Sequence, residues 1–275
     1  MGYSSWSAII TLAHQEFRSR HMFSHFPSFG LTLLFVGGAL AGEPDLREYS
    51  SLQLLIAGKG ELIYEDDFDR EEVDDTIEDL GRPGWVTNSK NQANGVKQAD
   101  LREGYLNITR APDSKHGTSV RHDNPFDDGV VMAKFRLHDE RGLGFHFNDP
   151  NCKVSSAGHI CRVGVAPGKL DFRDGKMGQF NWEIIRKKKA GASKEELKEL
   201  MQGKRVFFDA SIEIGTWHQI AFLIRGDKAV AWIDEKYVGE FVSPGVDHPV
   251  KFNLALSVWG EAADVDDLRI WSLRN

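Results

Sequence analysis

The sequence predicts an all-β fold: an antiparallel β-sandwich of the jelly-roll kind with one short helical insertion. Three observations carry this expectation. Apolar and polar residues alternate at period two in many short runs, as in strands that bury one face. Turn signals separate the runs at short intervals, among them Asp127-Asp128-Gly129, Pro167-Gly168, Asp174-Gly175 and Gly226-Asp227. Parallel strands would need a helix in each crossover, and only one stretch, around 193–203, reads as helical.

The N-terminus reads as a targeting segment. The run FGLTLLFVGGALA (29–41) ends in Ala39-Leu40-Ala41, whose small residues fit signal-peptidase cleavage before Gly42. Arg18, Arg20 and His21 supply a basic flank, and Met22 is an alternative start. A membrane anchor needs about 17–25 apolar residues, more than this run offers. Residues 1–41 are therefore expected to be a signal peptide, 42–60 a linker or capping segment, and 61–275 one sandwich domain. The expected location is secreted or periplasmic.

Within the domain, ELIYEDDF (61–68) alternates as a strand, and the Gly81–Gly84 turn leads to Trp85. GYLNITRA (104–111) and GTSVRH (117–122) are further strands. Three runs then follow one another: GVVMAKFRLH, GLGFHFND and HICRVGV. Val131, Ala133, Phe135 and Leu137 alternate with Met132, Lys134, Arg136 and His138, and Leu143, Phe145 and Phe147 with Gly144, His146 and Asn148. If the three runs are sheet neighbours, Lys134, Arg136, His146, Asn148 and Arg162 form one polar field on a concave face. KLDFRDG (169–175) adds a short strand. Ser193 and Glu196 form a capping box ahead of Leu197, Leu200 and Met201 at helical spacing, with Gly203 as the stop. Strands resume from 205 to the end.

The passage GTWHQIAFLIRGDKAVAWIDEKYVGEF (215–241) and the closing SVWGEAADVDDLRIWSL (257–273) resemble concanavalin A-like lectin/glucanase domains. GHICRVGVAP (158–167) and SPGVDHPVKFNLALSV (243–258) are most similar, within that superfamily, to secreted bacterial 3-keto-disaccharide hydrolase-like domains. The resemblance spans 61–273. It implies the jelly roll, with the last strand pairing back near EDDF, and a carbohydrate-related activity. It lacks one feature: no E-x-D-x-x-E run of the family-16 hydrolases occurs. Glycoside hydrolysis ordinarily takes two carboxylates on one face.

The polar field offers cations and amides to sugar hydroxyls or to an anionic glycan, with arginine suited to a planar anion. The competing reading is a solvated sheet face. If the protein is an enzyme, His146 is the candidate acid or base. Trp182, Trp232 and Trp259 are candidate stacking platforms. Trp259 is favoured because it ends a strand and shares a face with Asn253 and Ser257; Trp232 shares a face with Val230 and reads as core. Asp66, Asp67, Asp264 and Asp266 converge if the first and last strands are neighbours, as a structural calcium site or as exposed acidic strand ends. Cys152 and Cys161 close a short loop, which in an exported chain reads as a disulfide.

The net charge is −7 over 275 residues. Losing Arg18, Arg20 and Glu16 takes it to −8. That balance argues against nucleic acid as the main partner. No HxH, HExxH or GxSxG spacing is present. The expected function is recognition, and in one version processing, of an extracellular carbohydrate. The alternative is a non-catalytic interaction module of the envelope.

Overall fold

The computed structural model describes residues 45–74, 76–77 and 79–274. The expected signal peptide, its cleavage site and the alternative start at Met22 lie outside them. Among the described residues, fifteen strands form two antiparallel sheets packed face to face. The first contains β1 (Gly60–Asp66), β3 (Ala99–Arg102), β4 (Tyr105–Thr109), β6 (Gly129–Leu137), β11 (Trp217–Arg225), β12 (Lys228–Ile233), β13 (Lys236–Val242) and β15 (Ala262–Leu273). The second runs β10 (Arg205–Asp209), β9 (Lys169–Asp174), β8 (His159–Ala166), β7 (Leu143–Asn148), β14 (Lys251–Val258), β5 (Thr118–Phe126), β2 (Val86–Thr87). This is the predicted sandwich. β1 pairs with β15, matching Asp66 to Leu268.

The inward rows of the alternating strands make the core. Val131, Ala133, Phe135 and Leu137 of β6 meet Leu143, Phe145 and Phe147 of β7 in one buried cluster. Phe222 of β11 takes the edges of Phe145 and Phe147 at ring distances of 5.5 and 5.7 Å. Such pairs add to the burial of their large apolar surfaces.

The consequence for the site is a correction. β6 and β7 are consecutive but belong to different sheets: β6 lies between β11 and β15, and β7 between β14 and β8. Lys134 and Arg136 therefore face out from one sheet, while His146, Asn148 and Arg162 face out from the other. The 138–142 connection crosses between layers instead of turning a hairpin. Asp139 fixes it by accepting from the Arg141 and Ala262 amides at 2.6 and 3.3 Å. Gly142 has φ 75°, and a Cβ there would lie 1.9 Å from the Val165 carbonyl oxygen. Only glycine fits.

The outer face of the first sheet is occupied. Helix α1 (Tyr49–Lys59) covers its apolar half, packing Tyr49 and Leu52 on Val130, Met132, Ala221, Leu223, Val230 and Trp232. This is why Trp232, which sits on an outward row, is fully buried. On the polar half, Arg136 donates to Asp264 through Nε at 2.8 Å and stacks between Tyr105 and Trp217. Lys134 pairs with Asp267 and Asp266.

The insertion holds two helices where the sequence reading expected one. Besides α2 (Ser89–Gln92), the chain has α3 (Trp182–Lys189) and α4 (Lys194–Leu200). Ser193 Oγ accepts from the Glu196 amide at 3.0 Å, the expected cap. Asn181 caps α3 in the same way, accepting from the Glu183 amide at 2.9 Å. The disulfide expectation is overturned: Cys152 and Cys161 are both buried free thiols. Cys161 sits on the inward row of β8, where burial pushes it up to about 12, and Cys152 turns to accept from Ser155 Oγ at 3.7 Å. No helix of the described residues is long and apolar enough to cross a membrane.

The packing of α1 yields a prediction. Leu52→Ala should lower unfolding stability by about 2–5 kcal/mol in urea titrations, the range for deleting a buried leucine. Leu54→Ala, at a position 71% exposed, should leave it unchanged. Equal effects would mean that α1 does not dock as described.

Candidate functional site

The outer face of the second sheet is a cleft of about 1260 Å³. Its floor is the outward row of four central strands: Ser119 and Arg121 of β5, Asn253 and Ser257 of β14, His146 and Asn148 of β7, Arg162 of β8. Ser257 stands opposite Gly144, and His146 opposite Arg162. Gly144 leaves room for three polar atoms to converge. A Cβ there would lie 2.5 Å from Arg162 Nε and 2.9 Å from both His146 Nε2 and Ser257 Oγ.

A tryptophan marks each end. Trp259 follows β14 at one end, 45% exposed, lying flat over Gly117 and tilted against His116 at 5.0 Å. Trp182 begins α3 at the other end, 39% exposed, where Ser155 bridges to Asn181. Between them His159 stacks on Phe180 at 3.9 Å.

The floor is rich in polar atoms that no protein group meets. Among the described residues, seven buried side-chain N or O atoms lack a protein partner. Five of them belong to this cleft: His146 Nε2, Asn148 Oδ1, His159 Nδ1, Arg162 Nε and Ser257 Oγ. Asn148 is half used, its Nδ2 donating to Asn253 Oδ1 at 2.9 Å. A buried polar atom costs about 1–3 kcal/mol unless solvent or a ligand meets it. Natural proteins concentrate such costs at functional sites.

Charge follows the same geometry. Burial holds His146 well below the usual histidine range, with the neighbouring Arg162 and His159 acting the same way. Burial also lowers His159 to about 4. Both rings are neutral at pH 7, each with one nitrogen able to accept. Arg162 is the reverse case of a charge kept under burial, and it is lowered to about 10.

Of the residues the sequence singled out, His146, Asn148, Arg162 and Trp259 come together here. Lys134 and Arg136 do not, being ion-paired on the opposite sheet. The four aspartates do not form one donor set. Asp66 is enclosed by donors from Tyr64, Phe68, Arg70 and Trp85, and Asp264 by donors from Asn107, Arg136 and His138. Asp266 faces Lys134, and Asp67 accepts from the Asp69 amide. Among the described residues no group of three or more metal-ligating side chains has a geometry to hold an ion. His159, Asp171, Arg173 and Arg205 also stand at or beside this floor and are not among the residues singled out from the sequence. For Asp171 and Arg173 the signal was present, because they alternate with Leu170 and Phe172.

No family model and no curated protein matches the chain. Solved structures do. A non-specific endo-β-1,3(4)-glucanase of family GH16, SCLam, superposes with TM-score 0.50 at 10% identity over 78% of this chain and 92% of its own. A GlcNAcα1-4Gal-releasing endo-β-galactosidase from Clostridium perfringens gives TM-score 0.51 at 10% identity, over 78% of this chain and 63% of its own. The carbohydrate-binding module CBM66 from Bacillus subtilis is matched at 15% identity over 69% of this chain and 96% of its own, with TM-score 0.46. At these identities the likeness to the glucanase and the endo-galactosidase shows the fold alone, a concanavalin A-like jelly roll. The nearer resemblance to 3-keto-disaccharide hydrolase-like domains rests on the sequence passages alone.

The buried imidazoles predict a pH dependence of stability. In the unfolded chain these histidines take a proton below about pH 6.5. Folded, they stay neutral until a lower pH. The unfolded state therefore binds more protons across that window, and stability falls as pH drops, by about 1.4 kcal/mol per pH unit for each such group. For His159 the loss ends near pH 4. Asp66 and Asp149, whose carboxyls are lowered, add their own losses only below the ordinary carboxylate range. His159→Phe should flatten the slope of melting temperature between pH 6.5 and 4.5; an unchanged slope would show that His159 titrates normally in the fold.

Proposed function

We propose that the protein is an exported saccharide-binding protein whose site is the cleft on the second sheet. One observation carries this reading: five buried polar atoms without protein partners share one floor between two half-exposed tryptophans. A sugar ring suits such a floor. Its hydroxyls both donate and accept, as the mixed set of Arg162 Nε, Ser257 Oγ, the histidine nitrogens and Asn148 Oδ1 requires. Its apolar ring face suits Trp259 or Trp182. The glucanase and endo-galactosidase that share the fold act on saccharides, as their names state, which supports the same ligand class here. The apolar run ending in Ala39-Leu40-Ala41 supports export to where such polymers are met.

The cleft favours binding over hydrolysis by paired carboxylates. Among the described residues that line it, Asp123 is the one carboxylate, beside Arg121, Arg141, Lys153, Arg162 and Arg173. Two facing carboxyl groups, the ordinary requirement of glycoside hydrolysis, are not brought together. His146, a neutral ring on the floor, serves here as a hydrogen-bonding group.

A glycan array probed with the full chain, followed by calorimetric titration of the retained saccharides, tests this reading. Trp259→Ala should weaken binding about tenfold or more, the loss expected for removing an aromatic anchor, while the melting temperature stays near that of the parent. An array that retains nothing, or Trp259→Ala and Trp182→Ala variants that bind as the parent does, would remove the cleft as a saccharide site.

A further inference from the structure

Resting on that saccharide reading, we propose that the cleft selects sugars bearing an anionic substituent, a uronate carboxylate or a sulfate ester, seated on Arg162 and Arg173. Asp171 on β9 stands at the centre of a cluster of arginines. Its carboxylate faces three guanidinium groups: Arg173 Nε at 2.5 Å, Arg205 Nε at 3.5 Å and Arg162 Nη1 at 3.6 Å. One negative charge thus stands among three positive ones. Arg162 is the most enclosed, with 12% of its side chain exposed, and its Nε meets no protein acceptor.

Backbone geometry holds Arg162 in that position. Gly164 follows it two residues on along β8, Gly144 stands opposite Gly164 on β7, and a Cβ on Gly164 would lie 2.7 Å from Arg162 Nη2. The guanidinium is laid across two glycines where any side chain would displace it. Burial lowers the Arg162 pKa to about 10; Asp171 opposes this, and Arg173 and Arg205 reinforce it. The cation is under-neutralised by its own protein. A planar anion entering the cleft supplies the missing charge and can accept from a guanidinium through two oxygens. The rest of the lining has the same sign, with Arg121, Arg141 and Lys153 set against Asp123. The chain as a whole carries −7, so this positive cleft runs against the overall balance.

A purely structural cluster, with Asp171 tying β8, β9 and β10 together, makes the opposite forecast. Arg162→Gln would then cost stability and leave binding alone. If Arg162 serves a ligand, Asp171 still keeps Arg173 and Arg205 after the substitution. The fold then holds and affinity is lost.

The test is isothermal titration of the full chain at low ionic strength with three probes of similar length: tetragalacturonate, a sulfated carrageenan tetrasaccharide, and neutral laminaritetraose. At least one anionic probe should bind about tenfold or more tightly than the neutral one, and which one it is separates carboxylate from sulfate. Arg162→Gln should reduce that affinity to the neutral level while moving the melting temperature by no more than about 2 °C. Arg173→Gln should give the same loss, and Lys134→Gln, on the opposite sheet, none. Equal binding of neutral and anionic probes, or an Arg162→Gln or Arg173→Gln protein that binds as the parent does, overturns the anionic class and leaves the saccharide reading intact. No binding of any probe, together with a blank glycan array, overturns both.

Discussion

The crossing at Gly142 decides what each side of the molecule can do. A strand buries one of its two rows of side chains, so the layer to which a strand belongs decides which solvent face its other row reaches. The turn after β6 is tight enough that a side chain at Gly142 would collide with the Val165 carbonyl. It sends β7 into the second sheet, beside β8 and β14. From that single passage follow the pairing of His146 with Arg162 across strands and the separation of both from Arg136. The two outer faces then develop differently. One is closed by α1 and by the Arg136–Asp264 and Lys134–Asp267 pairs; the other keeps its polar row in a cleft.

The two faces also treat polar groups in opposite ways. On the first sheet Asp264 is shut from solvent but accepts from Asn107, Arg136 and His138, so its charge is fully met. On the second sheet Arg162 is almost as enclosed and its Nε has no acceptor. The first arrangement is what stability favours, since a buried charge is costly unless paired and hydrogen-bonded. The second makes sense when the missing partner arrives from outside. The glycines at 144 and 164 belong to the same logic. They give up strand propensity to let side chains and ligand approach the backbone closely.

Much of this was legible in the sequence, and the part that was not has a physical cause. Period-two alternation located the inward rows of β6 and β7, and the shared parity of Asn253, Ser257 and Trp259 placed that tryptophan on the cleft. Ser193 was readable as a helix cap because Glu196 follows at capping-box spacing. Asn181 was not, since Ile184 occupies the equivalent position ahead of it. Sheet membership is non-local: β6 finds its partners about 85 and 130 residues downstream, and nothing in its own side chains names them. Reading three successive runs as neighbours therefore joined Lys134 and Arg136 to a face they never reach. The cysteine pair failed for a related reason. Spacing along the chain does not reveal that Cys161 points inward while Cys152 turns toward Ser155.

The central claim is that ligand is met by the second sheet and not by the first. Each face carries a partly exposed tryptophan that reports on it: Trp259 and Trp182 on the cleft, and Trp217 beside Arg136 on the opposite side. Titrating an isotope-labelled sample with a saccharide retained on the array, and following the indole N–H resonances, tests the claim most directly. The account predicts that the Trp259 and Trp182 signals move together in a saturable way while the Trp217 signal stays fixed. Movement of Trp217 with Trp259 and Trp182 unchanged would contradict it.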